Sequence, residues 1–308
     1  MLKPTTTPSV SVVIATRGRP ELLRKAVSAA LSQDYSGSLE VLVVFDQVEI
    51  DRLEDVAVPE GRRLRTIENT RTPGLAGGRN TGILAADGEL VAFCDDDDEW
   101  LDGKLAAQSD ALAAAPEASL VATGIRIESA GGSHVRLPPP RATFADFLDS
   151  RITEIHPSTF LIRRADLLGG IGLVDEALPA SYGEDYDLLL RAARLGPVVS
   201  VVEPYVVINW KRASFFAGRW EGIAAGLSYL LRKFPEFDLA PRGTARIAGQ
   251  VAFAHAALGH RAEARTWAVD AIRRDRGQLR AYAALAVAAH VAPPALLVNL
   301  VNRTGRGL

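Results

Sequence analysis

The sequence lacks the features that mark exported, membrane-spanning or nucleic-acid-binding proteins. Cys94 is the single cysteine among 308 residues, so no internal disulfide can form, which fits a reducing compartment. The N-terminus has no apolar segment of signal-peptide length, and no run of about 18 apolar residues could cross a bilayer. The formal net charge of -2 gives no bulk attraction to nucleic acid. These absences predict a cytoplasmic protein and leave open a peripheral association with the inner face of the plasma membrane.

Several signatures of nucleotide and calcium binding are also missing. There is no GxxxxGK[ST] phosphate loop, no GxGxxG dinucleotide fingerprint and no D-x-[DN]-x-[DN]-G calcium loop. A metal-dependent nucleotidyltransferase would carry a glycine-rich GGxGxR segment after its first strand, where this sequence has ATRGRPELL with only Gly18. This departure weighs against the nucleotidyltransferase class, which remains an alternative.

The first part of the chain alternates apolar strand-like segments with helical ones. Strands are predicted over 9–15, 39–45, 63–69 and 89–94, and helices over 19–33, 73–87 and 100–116. Such alternation predicts a parallel sheet covered by helices, which is an α/β fold. Ligands of these folds bind at the carboxyl ends of the strands, so we expect the functional residues there.

The C-terminal part of the chain differs in composition. We predict an α/β domain over 1–212 and an α-helical region over 213–308, which is rich in Ala, Arg and Leu. Residues 257–289 read as helix, turn, helix and resemble one tetratricopeptide-type unit. A single copy is weak evidence for a repeat fold because repeat units normally stack in several copies. A helical C-terminal cap is the favoured alternative. These basic helices are candidates for contacting lipid headgroups or for forming a homodimer, although solvated surface charge explains them more simply.

Four carboxylates follow the predicted strand 89–94 in the stretch FCDDDDEW. They repel one another unless a positive charge lies among them. Carboxylates at positions i and i+2 can converge on a hard divalent cation, and Mg²⁺ is often held by one or two carboxylates plus substrate phosphates. A solvated acidic turn is the alternative, and Asp98 is also predicted to cap the following helix.

Two further stretches carry candidate functional side chains. The glycines of TPGLAGGRNTG, residues 72–82, let backbone approach a ligand closely, and Arg79 can contact a phosphate in bidentate fashion. Tight packing alone would also require such glycines. In GEDYD, Glu184 and Asp185 stand at a predicted helix start, where they are either ordinary helix charges or a general base.

Taken together, these stretches resemble the family-two glycosyltransferases. The matches cover about residues 9 to 210 and occur in the family's order: SVVIATRGRPELLRKAVSAALSQ, EVLVVFD, GLAGGRNTGILAADGELVAFCDDDDEW, HPSTFLIRR and GEDYDLLLRAARLG. The resemblance implies the GT-A fold, a Rossmann-like three-layer α/β/α fold with a mostly parallel central sheet, over residues 1–212.

The resemblance also implies an activity. It predicts a metal-dependent inverting glycosyltransferase that uses Mn²⁺ or Mg²⁺. The donor would be a nucleotide-diphosphate sugar, with a UDP-sugar favoured, and the acceptor a hydroxyl of a glycan, a lipid-linked intermediate or a small molecule. One in-line displacement would invert the anomeric centre without a covalent intermediate. A non-catalytic module that binds partners through its C-terminal helices is a second alternative.

The resemblance assigns roles to particular residues. Asp97 and Asp95 match the acidic positions of the DxD motif, with Asp97 as the direct metal ligand. Asp185 matches the catalytic base, and Glu184 would help to position the acceptor. The implied nucleotide-binding positions are Thr16, Arg17, Asp46, Arg79, Asp95 and Asp96.

The sequence departs from the family pattern at several positions. Phe45 stands where the family usually has the first of two aspartates, so Asp46 would have to substitute, and thymidine or guanosine donors stay open beside uridine. The QxxRW motif of processive members is absent. Lys211 or Arg212 would contact the diphosphate. His156 is a candidate neighbour of the acceptor, with a structural role as the favoured alternative.

Overall fold

A computed structural model describes residues 7–129, 131–210 and 218–303. These residues form two compact units, which comprise 7–147, 152–176 and 184–210 in the first and 148–151, 177–183 and 218–303 in the second. The predicted domain boundary after residue 212 lies outside the described residues. The same holds for the predicted diphosphate contacts Lys211 and Arg212.

The first unit contains a ten-stranded sheet. Its strands are β1 Val10–Thr16, β2 Leu39–Phe45, β3 Arg62–Glu68, β4 Leu90–Phe93, β5 Glu99–Trp100, β6 Leu120–Ser129, β7 Gly132–Arg136, β8 Arg141–Ala142, β9 Leu161–Arg163 and β10 Val198–Asn209. The order is β3-β2-β1-β4-β9-β6-β10-β5, with β7 paired to β6 and β8 paired to β10.

Helices connect and cover these strands. Those that begin in the first unit are α1 Pro20–Leu31, α2 Leu75–Ala85, α3 Lys104–Ala114, α4 Phe144–Asp149, α5 Arg164–Leu168 and α6 Glu184–Leu195. Those of the second unit are α7 Trp220–Lys233, α8 Pro241–Ala257, α9 Arg261–Arg274, α10 Leu279–Ala288 and α11 Pro294–Arg303. The first helices alternate with strands along the chain, as predicted.

Strands β3, β2, β1 and β4 are parallel, and β10 is parallel to β6, whereas β9 joins β4 to β6 in antiparallel orientation. The VSVVIAT and LEVLVVF strands are buried almost throughout because helices cover both faces of a parallel sheet. The predicted α/β fold with mostly parallel strands is confirmed. Its registers bring the carboxyl ends of β1, β2 and β4 side by side, and the residues that follow them share one edge of the sheet.

The segment after the acidic run differs from the prediction. Glu99 and Trp100 form β5, which pairs antiparallel with Val206 and Val207 of β10, and α3 begins only at Lys104. The predicted helix cap at Asp98 is therefore wrong. Pairing of Trp100 with β10 overrides the helical pattern, and the pairing of β10 with β6 shifts register between Val201 and Val206.

The second unit is built around α8, α9 and α10, whose shared core consists mainly of buried alanines with Phe253 and Val287. Small side chains let helix backbones approach one another closely. The predicted helix, turn, helix of 257–289 is present as α9 and α10, while its kinship to a repeat unit stays a prediction. Across the described ranges, no helix has the length and apolar character needed to traverse a bilayer.

Candidate active site

The four aspartates form a turn directly after β4, in which the Asp98 N–H donates to the Asp95 carbonyl at 3.2 Å. Their side chains alternate in exposure. Asp96 and Asp98 are 8% and 4% exposed, whereas Asp95 and Asp97 are 25% and 39% exposed. The turn therefore buries Asp96 and Asp98 and leaves Asp95 and Asp97 accessible to a ligand.

Asp96 is bound by the residues that follow β1. The Thr16 hydroxyl donates to its Oδ2 at 2.7 Å, the Arg17 N–H donates as well, and Arg19 Nη1 lies 2.9 Å from its Oδ1. Burial raises the pKa of Asp96, and these donors oppose the rise. Two predicted nucleotide-binding residues, Thr16 and Asp96, thus bind each other, and the Arg17 side chain is exposed nearby.

Asp97 pairs with Arg19, whose Nη1 lies 2.5 Å from Asp97 Oδ2. Burial, and then the charge of Asp95, raises the pKa of Asp97 to about 6, although Arg19 opposes the rise. Arg19 was not singled out from the sequence. The sequence did offer one indication of its role, because Arg19 lies between the end of β1 and α1, in a segment predicted to meet the acidic run.

Asp98 is bound by the segment that precedes β9. The Ser158 hydroxyl donates to Asp98 Oδ2 at 2.5 Å and accepts the Asp95 N–H at 2.9 Å, and His156 Nδ1 lies 3.4 Å from Asp98 Oδ2. Burial raises the pKa of Asp98 well above its usual range. Ligand atoms of Asp95, Asp98 and His156 all lie within 4.8 Å of one another. Within the described part of the chain, Asp97 does not belong to this cluster.

Replacing Ser158 with alanine should destabilise the protein by about 1–3 kcal/mol, because the buried Asp98 carboxylate and the Asp95 N–H both lose a partner. Urea unfolding measures this change. Ser32→Ala is the matched control, since its exposed hydroxyl makes one hydrogen bond of 3.3 Å to the Ala29 carbonyl. Equal stability of the two variants would show that Ser158 does not organise the acidic turn.

Arg79 connects the acidic turn to α6. Its side chain is 3% exposed, its Nη2 donates to Asp95 Oδ1 at 2.7 Å, and its Nη1 donates to Glu184 Oε1. Burial raises the pKa of Glu184 to about 7, and Arg79 opposes this rise. Asp185, the next residue, is partly buried in the first turn of α6, and its Oδ1 accepts the Tyr186 N–H at 2.7 Å. Asp95, Arg79 and Glu184 thus form one continuous chain of ion pairs.

Asp46 is 5% exposed and fixes the loop that leads into α2. Asn69 Nδ2 donates to its Oδ1 at 2.7 Å, and the Gly74 N–H donates to its Oδ2 at 3.0 Å. Gly74 has a φ of 118°, a conformation that favours glycine. Phe45 is buried at the end of β2. The structure thus brings the predicted residues after β1, β2 and β4 to one edge of the sheet.

The mostly parallel sheet, with an acidic turn after β4 at its carboxyl edge, agrees with the GT-A fold that the sequence predicted. The model of the family described as glycosyl transferase family 2 matches residues 11–168, about half of the chain. The protein belongs to this family, as the sequence predicted.

Curated relatives resemble parts of this chain. The glucosyltransferase WfaP of Escherichia coli, named as acting on GlcNAc-diphosphoundecaprenol, is 31% identical over 32% of this chain and 39% of its own. A Campylobacter jejuni glucosyltransferase, named as acting on GalNAc(5)-diNAcBac-PP-undecaprenol, is 34% identical over 32% of each chain. The match thus spans about a third of these relatives. The amylovoran biosynthesis glycosyltransferase AmsB of Erwinia amylovora is 26% identical over 70% of this chain and 73% of its own.

Among solved structures, residues 1–349 of S. aureus TarS in complex with UDP-GlcNAc share the fold. The TM-score is 0.59 at 18% sequence identity, over 97% of this chain and 92% of that one.

Proposed function

We propose that this protein is an inverting glycosyltransferase that moves a sugar from a UDP-sugar to a hydroxyl group of an acceptor by a single in-line displacement. The observation that carries the proposal is the chain Asp95–Arg79–Glu184, which connects the accessible acidic turn to the helix start that bears Asp185. The buried Arg79 thereby connects the proposed donor site to the first turn of α6, which also carries the proposed base Asp185.

Asp185 is the proposed general base. Its carboxylate would accept the proton of the acceptor hydroxyl as that oxygen attacks the anomeric carbon. Glu184 was expected to position the acceptor, but its side chain is 5% exposed and bonded to Arg79. We therefore assign it a positioning role that acts through Arg79, by fixing the first turn of α6.

The acidic turn suits a divalent cation because carboxylate oxygens are the ligands that Mg²⁺ and Mn²⁺ prefer. Asp95 and Asp97 would hold the ion, since theirs are the accessible carboxylates of the turn. Asp98 is buried, and its Oδ2 already accepts the Ser158 hydroxyl. Bound there, the cation would neutralise charge on the departing diphosphate.

The nucleotide is proposed to bind along the edge formed by Thr16, Arg17 and Asp46. Asp46 accepts three hydrogen bonds, from Gln47, Asn69 and Gly74, and because a carboxylate offers about four acceptor positions, one is left for a base N–H. Contacts of Lys211 or Arg212 with the diphosphate remain part of the proposal.

For the acceptor, we propose a lipid-linked saccharide, because the relatives WfaP and the Campylobacter jejuni enzyme are named for diphosphoundecaprenol substrates. An acceptor of this kind would place the protein at the cytoplasmic face of the membrane. Arg261, Arg265 and Arg273 on α9 are exposed and are candidates for contacting anionic lipid. The C-terminal helices are also the proposed surface for a homodimer.

Calorimetric titration of UDP, GDP and dTDP, each with and without Mn²⁺, tests the donor site. UDP should bind in a Mn²⁺-dependent manner, and Asp97→Asn should weaken that binding at least tenfold, which is a loss of about 1.4 kcal/mol. Asp110→Asn, an exposed aspartate on α3, is the control. If no nucleotide binds under either condition, the donor site is refuted. If Mn²⁺-dependent binding survives Asp97→Asn, the assigned ligand is wrong.

A further inference from the structure

Arg19 lies at the N-terminus of α1, and one atom of its guanidinium group, Nη1, contacts two aspartates of the acidic turn. It lies 2.9 Å from Asp96 Oδ1 and 2.5 Å from Asp97 Oδ2. The two contacts differ in setting, because the Asp96 side chain is 8% exposed and the Asp97 side chain is 39% exposed. Arg19 is thus anchored on the buried carboxylate and reaches the accessible one.

Each of the four carboxylates has a partner in the structure, and the two central ones share Arg19. Arg79 binds Asp95, Ser158 binds Asp98, and Arg19 contacts the two central aspartates. The guanidinium group of Arg19 therefore offsets the repulsion between two adjacent negative charges. It does so at an oxygen of Asp97, the residue assigned above to the metal.

We propose that Arg19 is a built-in counter-ion for the acidic turn, which holds Asp97 when no divalent cation is bound and competes with the cation for that carboxylate. This inference rests on the proposed function, in which Asp97 is a metal ligand. Because Asp96 retains Arg19, release of Asp97 does not require Arg19 to leave the turn. Arg19 is a positioning residue that sets the affinity for the metal.

The proposal predicts two opposite effects of Arg19→Gln. The melting temperature of the metal-free protein should fall, because the carboxylates repel one another without a counter-charge. The affinity for Mn²⁺ alone, measured by calorimetry, should rise about tenfold, because a competing positive charge beside the ion is gone. Arg24→Gln is the matched control, since Arg24 bridges Asp51 and Asp55 from the same helix. Its Mn²⁺ affinity should equal that of the unaltered protein.

A double variant tests the pairing itself. Asp97→Asn added to Arg19→Gln should recover most of the lost melting temperature, because it removes one of the repelling charges. No recovery would overturn the proposal. If Arg19→Gln does not fold without metal, refolding in Mn²⁺ replaces the melting measurement. Recovery of the fold supports the proposal, and its absence overturns it.

The Mn²⁺ titrations separate this inference from the proposed function. If the unaltered protein binds Mn²⁺ but Arg19→Gln binds it no more tightly, Arg19 is merely structural and only this inference fails. If the unaltered protein binds no Mn²⁺ in the absence of nucleotide, the competition is overturned, while the metal assignment is still decided by the Mn²⁺-dependent binding of UDP.

Discussion

Replacing Asp185 with asparagine should lower kcat by about two to four orders of magnitude, the range expected for loss of a general base. Asparagine preserves the size and the position in the first turn of α6 but cannot accept a proton from the acceptor hydroxyl. Binding of UDP with Mn²⁺ should change less than about twofold, because the donor contacts proposed above come from other residues. The readout is release of UDP from a UDP-sugar with a lipid-linked acceptor.

Two comparisons make this measurement decisive. Asp110→Asn should retain full turnover because Asp110 is an exposed residue of α3. Donor binding that survives in Asp185→Asn shows that the variant is folded, so a loss of turnover then reports on chemistry. Turnover equal to that of the unaltered enzyme would remove Asp185 from the role of base and leave the donor site untouched.

Replacing Lys104 with methionine should stabilise the protein at neutral pH. Lys104 is fully buried on α3, its Nζ donates to Gln108 Oε1 at 2.8 Å, and it lies 3.7 Å from the centre of the Trp100 ring. Neither partner carries a charge. Burial lowers the pKa of Lys104 to about 7, while the nearby Cys94 sulfur opposes the change. Methionine fills similar space and carries no charge into the core.

The stability advantage of Lys104→Met over the unaltered protein should shrink as the pH rises. Between the folded pKa of about 7 and the unfolded value near 10.4, the unfolded chain binds more protons at Lys104 than the folded protein does. The stability contributed by Lys104 therefore rises with pH. Relative to Lys104→Met, the unaltered protein should gain about 2 kcal/mol between pH 7 and 8.5.

Urea unfolding of both proteins at several pH values measures this difference. Burial also raises the pKa of the Cys94 thiol, which lowers stability at alkaline pH, but both proteins retain this group. The lost hydrogen bond to Gln108 costs the variant a roughly pH-independent amount. Parallel stability profiles for the two proteins would show that Lys104 keeps its proton in the folded state up to the pKa of a free lysine.

The local patterns that predicted the fold were those in which sequence neighbours determine the structure. The buried runs of β1 and β2 and the amphipathic spacing of α1 are of this kind. The local pattern around Trp100 predicted a helix and was wrong, because the strand partner of Trp100, Val206, lies about a hundred residues away. A two-residue strand of this kind leaves no periodic signal of its own.

The residues of the candidate site also fall into those that the sequence predicted and those that it missed. The acidic turn and the helix start at Asp185 follow from residue type and spacing. Ser158 and Arg19 were missed because serine and arginine are common residues, and their importance comes from which carboxylate they reach. The bond between Arg79 and Glu184 spans 105 positions of sequence, and an arginine there equally suits a phosphate.

The acidic turn also connects two strands that lie far apart in the sheet. Residues 94–98 connect β4 to β5, yet β9, β6 and β10 lie between those strands in the pairing order. In a flat sheet that gap would be about 19 Å, close to the full reach of the connection, and the turn at Asp95–Asp98 shortens it. The sheet must therefore curl, and the register shift in β10 around Pro204 is where it can bend. Glu99 and Trp100 directly follow the acidic turn and pair with Val207 and Val206, so a deletion near Pro204 would shift the strand to which the end of the turn is attached.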